Sequence, residues 1–107
     1  MKQNRLDKAI QTWQGILKRH PSHPEALINL GTAFYQRGDL EKAVEVWQEA
    51  ELLAQDNSKI HYNLALAYFN RSDYHRSVEE LREVLRLEPG HTQARMLMEI
   101  AEQQGRH

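Results

Sequence analysis

Residues 29–43 read NLGTAFYQRGDLEKA, and residues 63–77 read NLALAYFNRSDYHRS, 34 positions further along the chain. When residues 24–57 are aligned with residues 58–91, nine positions are identical, among them Asn29 with Asn63. A fixed period between about 20 and 50 residues is typical of repeat architectures, in which each unit buries its apolar face on a neighbour. The chain is therefore predicted to consist of stacked repeats.

Apolar residues within each repeat recur at helical spacing. Leu27, Leu30 and Phe34 form one stripe of a helix, and the residues after position 39 form a second stripe. Between the two, Gly38 can close the first helix in the left-handed conformation and Asp39 can cap the next. Each repeat is therefore predicted to be a helix, a tight turn and a second helix.

Capping residues mark the remaining helix ends. The stretch Ser22-His23-Pro24-Glu25 fits a capping box with proline in the first turn, and Ser58 can cap the helix that follows it. The pattern predicts six helices, at roughly residues 5–19, 24–37, 40–54, 58–71, 74–87 and 92–104.

The repeated motifs resemble those of the tetratricopeptide repeat (TPR) family, whose signature is W-x2-L-G-x2-Y, then A-x3-F, then P. The matching stretches are L-x2-L-G-x2-F (27–34) with A-x3-W (43–47), then H-x2-L-A-x2-Y (61–68) with S-x3-L (77–81) and Pro89, and before them A-x3-W (9–13) with Pro21. The resemblance implies an all-α fold, a right-handed superhelix of antiparallel helix hairpins, or α-solenoid. His61, Ser72, Ser77 and Gln55 depart from the family pattern and place local stability in doubt.

The resemblance also implies a division of the chain into repeats. We expect one TPR domain over residues 1–107, with the second half of a truncated repeat at 5–23, full repeats at 24–57 and 58–91, and a C-terminal capping helix at 92–104. On that last helix Arg95, Glu99 and Glu102 occupy positions that are apolar or small in the full repeats, as expected of a polar cap.

In TPR proteins the first helix of each pair lines a concave surface, the usual binding face of such arrays. Asn29 and Asn63 are of most interest there, because family members often use asparagine at this position to hydrogen-bond a peptide backbone. Two alternatives stay open: the asparagines face water, or the aromatic residues only fill space between helices. Carried over, the predicted groove is lined by Ile28, Asn29, Thr32, Tyr35, Gln36, Tyr62, Asn63, Leu66, Phe69 and Asn70, and continued by Met96, Leu97 and Ile100.

The groove residues indicate which partner to expect. One TPR subclass grips a peptide carboxylate with lysine, arginine and asparagine, but here only Lys59 lies near the groove edge. We therefore expect an apolar or amphipathic peptide or partner protein, bound by a non-catalytic scaffold. The alternative is a self-association module, a homodimer formed through apolar side chains that a truncated first repeat leaves partly uncovered: Leu6, Ile10, Trp13 and Leu17.

Composition excludes several other functions. Fourteen basic and fifteen acidic residues give a formal net charge of -1, which argues against a nucleic-acid binder. There is no cysteine, no phosphate loop, no nucleophile–base pair and no complete metal site around His20 and His23, so we expect no enzyme, no metal and no cofactor. No apolar run approaches the ~20 residues that span a bilayer. A soluble module is expected, with the cytoplasm slightly favoured over the periplasm, while the partner and pathway stay unspecified.

Overall fold

The computed structural model describes residues 2–106, and over those residues it consists of α-helices without a strand. All six predicted helices are present, and their ends lie within three residues of the predicted ones. The helices are α1 (Lys2–Arg19), α2 (Pro24–Arg37), α3 (Leu40–Leu53), α4 (Ser58–Asn70), α5 (Tyr74–Leu87) and α6 (Thr92–Gly105).

The chain divides into two compact units, one up to Gln55 and one from Asp56 onward. In the first unit, α2 packs against both α1 and α3. In the second unit, α5 packs against both α4 and α6. The predicted repeat boundaries within residues 1–107 remain a prediction.

The core of the first unit is built around Trp47 of α3, which is buried against α2. Its indole Nε1 donates a hydrogen bond of 3.0 Å to the carbonyl oxygen of Ile28. The ring occupies the space that a side chain on Gly31 would need, so glycine is required at that point. The absence of a side chain at Gly31 on α2 thus makes room for the indole ring of Trp47 on α3.

The core of the second unit joins all three of its helices. Ala65, Leu81, Val84 and Ala94 are fully buried in one cluster. Ser77 is also fully buried, and its hydroxyl donates a 2.9 Å hydrogen bond to the carbonyl oxygen of Ala65. This hydrogen bond satisfies the polar atom of a residue that departs from the family pattern.

Two predicted helix caps are wrong, and a third lies at the predicted position but makes no capping hydrogen bond. His23, and not Ser22, caps α2, because its Nδ1 accepts from the N–H of Ala26. Asn57, and not Ser58, caps α4. Asp39 precedes α3 but makes no capping hydrogen bond, since its carboxylate is held by the guanidinium of Arg37.

The two turns inside the hairpins both use left-handed backbone. Gly38 has φ of 96°, as predicted for a helix-closing glycine, and its N–H donates to the carbonyl oxygen of Tyr35. At the equivalent place in the second unit Ser72 has φ of 62°. Serine therefore adopts a conformation there that L-residues with a Cβ disfavour.

Candidate functional site

Four predicted groove residues form a surface on α2 of the first unit. Asn29, Thr32 and Tyr35 are partly buried, whereas Gln36 is exposed. The Thr32 hydroxyl donates a 3.0 Å hydrogen bond to the carbonyl oxygen of Ile28, so it is already engaged. The Asn29 amide makes no hydrogen bond to any described residue. We call these four residues the α2 surface.

Ile28 does not belong to that surface. Only 5% of it is exposed, and its carbonyl oxygen accepts hydrogen bonds from Trp47 and Thr32. The family resemblance implied an accessible side chain, but the residue is part of the buried region. Its prediction as a groove-lining residue is therefore corrected.

The other five predicted residues lie on α4 of the second unit and form what we call the α4 surface. Tyr62, Asn63, Leu66 and Phe69 are partly buried, and Asn70 is exposed. The amide of Asn63, like that of Asn29, makes no hydrogen bond among residues 2–106. An amide that both donates and accepts is thus left free beside apolar side chains.

Each of the three groove aromatics contacts another ring within its own unit. Tyr35 lies 5.8 Å from Trp47 between ring centroids, and Phe69 meets Tyr74 edge to face at 5.3 Å. Tyr62 stacks on His91 at 4.9 Å. The rings therefore fill space between helices and still keep an exposed part, and contact of that part with a ligand stays a prediction.

Large apolar side chains are also exposed outside the α2 and α4 surfaces, and two of them, Met96 and Ile100, were predicted to continue the groove. Among the described residues they are Leu52 and Leu53 at the end of α3, and Met96 and Ile100 on α6. Met96 and Ile100 are 58% and 46% exposed and lie one helical turn apart. Their spacing is a signal that the sequence already contains, whereas Leu52 and Leu53 lie on no predicted stripe.

The residues predicted for self-association lie along α1. Leu6, Trp13 and Leu17 are partly buried, and Ile10 is only 5% exposed. Because Ile10 is buried within the first unit, it offers no contact surface. The remaining three side chains are more covered than Met96 or Leu52.

Charged side chains are absent from the α2 and α4 surfaces, and some of those elsewhere in the described chain form ion pairs. Arg37 donates hydrogen bonds to the carboxylates of Asp39 and Asp7, and these contacts raise the pKa of its guanidinium. The hydrogen bond from Arg86 lowers the pKa of Glu83 on α5. Both surfaces therefore carry no formally charged side chain.

Two cavities lie away from these surfaces. One, of about 450 Å³, lies beside α5 and α6, with Val78 and Ala101 among its apolar walls and Arg82 and Glu102 among its charged ones. Since side chains of both signs line it, it does not select a class of ligand. The other, of about 570 Å³, is lined by Ile16, His20, Ser22, His23 and Pro24.

Comparisons with known families and structures agree with a fold of helical repeats. Models described as "Tetratricopeptide repeat", "TPR repeat" and "Fis1 C-terminal tetratricopeptide repeat" match residues 1–23, 31–72 and 59–105. No curated protein matches the sequence. No described helix has the length and apolar character needed to cross a membrane.

Solved structures share the fold over nearly the whole chain. The Sgt2 TPR domain from Aspergillus fumigatus superposes with a TM-score of 0.84 at 25% identity, covering 94% of this chain and 68% of that one. The first TPR of Spaghetti (RPAP3), bound to HSP90 peptide SRMEEVD, gives 0.89 at 22% identity, covering 95% and 81%. MamA gives 0.90 at 20% identity, covering 94% of this chain and 55% of its own length. These likenesses confirm the expected all-α solenoid fold.

Proposed function

This chain belongs to the tetratricopeptide repeat family, and we propose that it is a non-catalytic scaffold that binds a peptide or partner protein through the α2 and α4 surfaces. The family and its fold support an interaction scaffold in general. The choice of these two surfaces rests on the residues described above.

The observation that carries the proposal is the free amide group on each surface. Asn29 and Asn63 occupy the same place in the two repeats, and neither amide has a hydrogen-bond partner among the described residues. An extended peptide offers alternating backbone donors and acceptors, and an asparagine side chain can satisfy one of each. Leu66, one helical turn from Asn63, and Phe69 further along α4 are both partly exposed and provide apolar contact.

The chemistry of the surfaces favours an apolar or amphipathic partner. The peptide bound to the RPAP3 domain, SRMEEVD, carries three carboxylate side chains. Here the α2 and α4 surfaces carry no cationic side chain to receive such a peptide, and Lys59 is the one charged residue of α4. Aromatic, aliphatic and amide groups are suited to an apolar segment whose backbone stays accessible.

The proposal is tested with peptides selected from a random library on the wild-type chain. Affinity of a selected peptide is then measured by calorimetry for Asn63→Ala and Leu66→Lys. We expect each change to weaken binding about tenfold or more, because a hydrogen bond or an apolar contact is lost. Leu52→Lys is the matched control, since Leu52 is 76% exposed and belongs to neither surface.

Unchanged affinity in Asn63→Ala and Leu66→Lys, with circular dichroism showing intact helices, would reject the α4 surface. Failure to select any peptide that the folded chain binds would reject the scaffold proposal itself.

Self-association through α1 is the alternative function. It has less support than peptide binding, because the apolar side chains of α1 that would form the interface are partly or fully buried. Light scattering after gel filtration over a hundredfold concentration range separates the two. A scaffold that binds through α2 and α4 stays monomeric, whereas a dimer that Trp13→Glu dissociates without unfolding would establish the alternative.

A further inference from the structure

His91, in the loop before α6, makes two contacts with one imidazole ring. Its Nδ1 accepts a 3.0 Å hydrogen bond from the backbone N–H of Ala94 and so caps α6. The same ring stacks on Tyr62 of α4, with centroids 4.9 Å apart and planes inclined by 30°. The side chain therefore links the N-terminus of α6 to the α4 surface.

The equivalent positions in the other repeats show that capping does not require this ring contact. Asn57, one period earlier, caps α4 by accepting from the N–H groups of Lys59 and Ile60. His23, two periods earlier, caps α2 through Nδ1 at 3.2 Å from the N–H of Ala26. Asparagine is among the best N-cap residues, so an acceptor alone would be enough at position 91.

Tyr62 is the residue that the stack affects. It packs against the buried cluster of the second unit, which includes Ala65 and Leu81, and remains partly exposed. Its hydroxyl has no hydrogen-bond partner among the described residues. With the imidazole against one face of the ring and the core beside it, Tyr62 has little freedom to turn, and its polar end stays available.

We infer that His91 is a positioning residue of the α4 surface, which holds the Tyr62 ring so that its hydroxyl and exposed edge meet the bound peptide. The inference rests on the proposed function. It specifies the ligand further: a segment with an apolar side chain for the ring edge and a carbonyl oxygen for the hydroxyl. Preorganising the ring spares the ligand the entropy of ordering it.

The experiment separates the two contacts of His91 by substitution. His91→Asn keeps a capping acceptor and removes the stack, whereas His91→Phe keeps a ring and removes the acceptor. Measured with a library-selected peptide, His91→Asn is expected to weaken binding about threefold to tenfold, as loss of one aromatic pair implies. His91→Phe is expected to restore the affinity while lowering the melting temperature.

Spectroscopy supplies a readout that does not depend on the ligand. The ring proton resonances of Tyr62 are expected to shift in His91→Asn, because the ring current of the imidazole is lost, and to keep an aromatic shift in His91→Phe. His23→Asn is the matched control, since it replaces a capping imidazole that contacts no other ring among residues 2–106. It should leave both the Tyr62 resonances and the affinity unchanged.

Wild-type affinity in His91→Asn, together with lost binding in Tyr62→Ala, would overturn the inference and leave the proposed function standing. Wild-type affinity in both Tyr62→Ala and Asn63→Ala would instead reject the α4 surface, and the inference with it. Unmoved Tyr62 resonances in His91→Asn would show that the stack does not hold the ring.

Discussion

The indole nitrogen of Trp47 donates a 3.0 Å hydrogen bond to the carbonyl oxygen of Ile28, and this contact fixes the large ring directly over α2. A Cβ atom at Gly31 would collide with that ring. In the second repeat the same two places hold Ala65 and Leu81, both fully buried. The larger side chain in the first repeat, tryptophan, is thus paired with the smaller partner, glycine. In the second repeat the smaller leucine is paired with the larger alanine.

Gly31→Ala is predicted to lower the free energy of unfolding by about 1–3 kcal/mol, because the added methyl overpacks the contact with Trp47. Gly15→Ala is the matched control, since nothing lies within 4 Å of a Cβ at that exposed helical position. It should raise the free energy of unfolding by about 1 kcal/mol through helix propensity. Urea unfolding followed by circular dichroism measures both.

Exchanging both partners is predicted to recover part of the loss. Trp47→Leu alone costs about 3 kcal/mol by opening a cavity. The double variant Gly31→Ala/Trp47→Leu reproduces the pair found in the second repeat, so it should be at least about 1 kcal/mol more stable than the sum of the single changes implies. Strict additivity in the same urea measurement would show that the two residues do not share the space.

Gly38 and Ser72 occupy equivalent left-handed positions, so exchanging glycine and serine is predicted to change stability in opposite directions at the two sites. Gly38→Ser is expected to cost about 1 kcal/mol, because φ is 96° and a Cβ there meets no other atom, so that only backbone strain enters. Ser72→Gly relieves a φ of 62° but gains freedom in the unfolded chain, so the net gain is between about 0 and 1 kcal/mol. Thermal melts of both variants check the signs, and a Ser72→Gly chain less stable than wild type would contradict the argument.

Sequence periodicity was sufficient for the helices, because burying a stripe at every third or fourth residue leaves few alternatives for the chain. It was also sufficient for Gly38, since left-handed backbone favours glycine. The capping hydrogen bond predicted for Asp39 is missing because another group binds its carboxylate. The Asp39 carboxylate is drawn to Arg37, which also binds Asp7, 30 residues away, so a capping role could not be judged from neighbours alone.

The sequence pattern also did not predict that Ile28 is buried or that histidines cap two of the helices. Histidine is not a preferred N-cap, yet His23 and His91 cap two helices through Nδ1, and only the fold brings His91 against Tyr62. The family resemblance placed Ile28 with Asn29 on one surface, but it did not show that Ile28 would be buried. Burial and ring contacts of this kind depend on the helices that pack against a residue, so the sequence of its own helix does not determine them.

The ion pair on α5 predicts a pH dependence of stability. Because the hydrogen bond from Arg86 lowers the pKa of Glu83 below its usual range, the folded state binds this proton less readily than the unfolded state. The stabilisation is therefore present above the unfolded pKa of about 4.3 and is lost as pH falls through the lower, folded pKa. Glu83→Gln should lose less stability than wild type on acidification through this range.

The control for that prediction is Glu45→Gln, which removes an exposed carboxylate of α3 that has no partner within the described part of the chain. Melting temperatures from pH 6 down to pH 2, in low and high salt, measure the difference. An identical pH profile for Glu83→Gln and wild type would contradict the prediction, and added salt should diminish the effect because the pair is exposed.

The most direct test of the central claim is nuclear magnetic resonance of the ¹⁵N-labelled chain during titration with a library-selected peptide. The side-chain amide resonances of Asn29 and Asn63 are resolved from the backbone and report on the proposed contacts themselves. The account predicts that these signals shift on binding, together with backbone signals along the α2 and α4 surfaces. Binding that leaves both side-chain amides unmoved, and shifts instead the Trp13 indole or the residues beside the α5–α6 cavity, would contradict it.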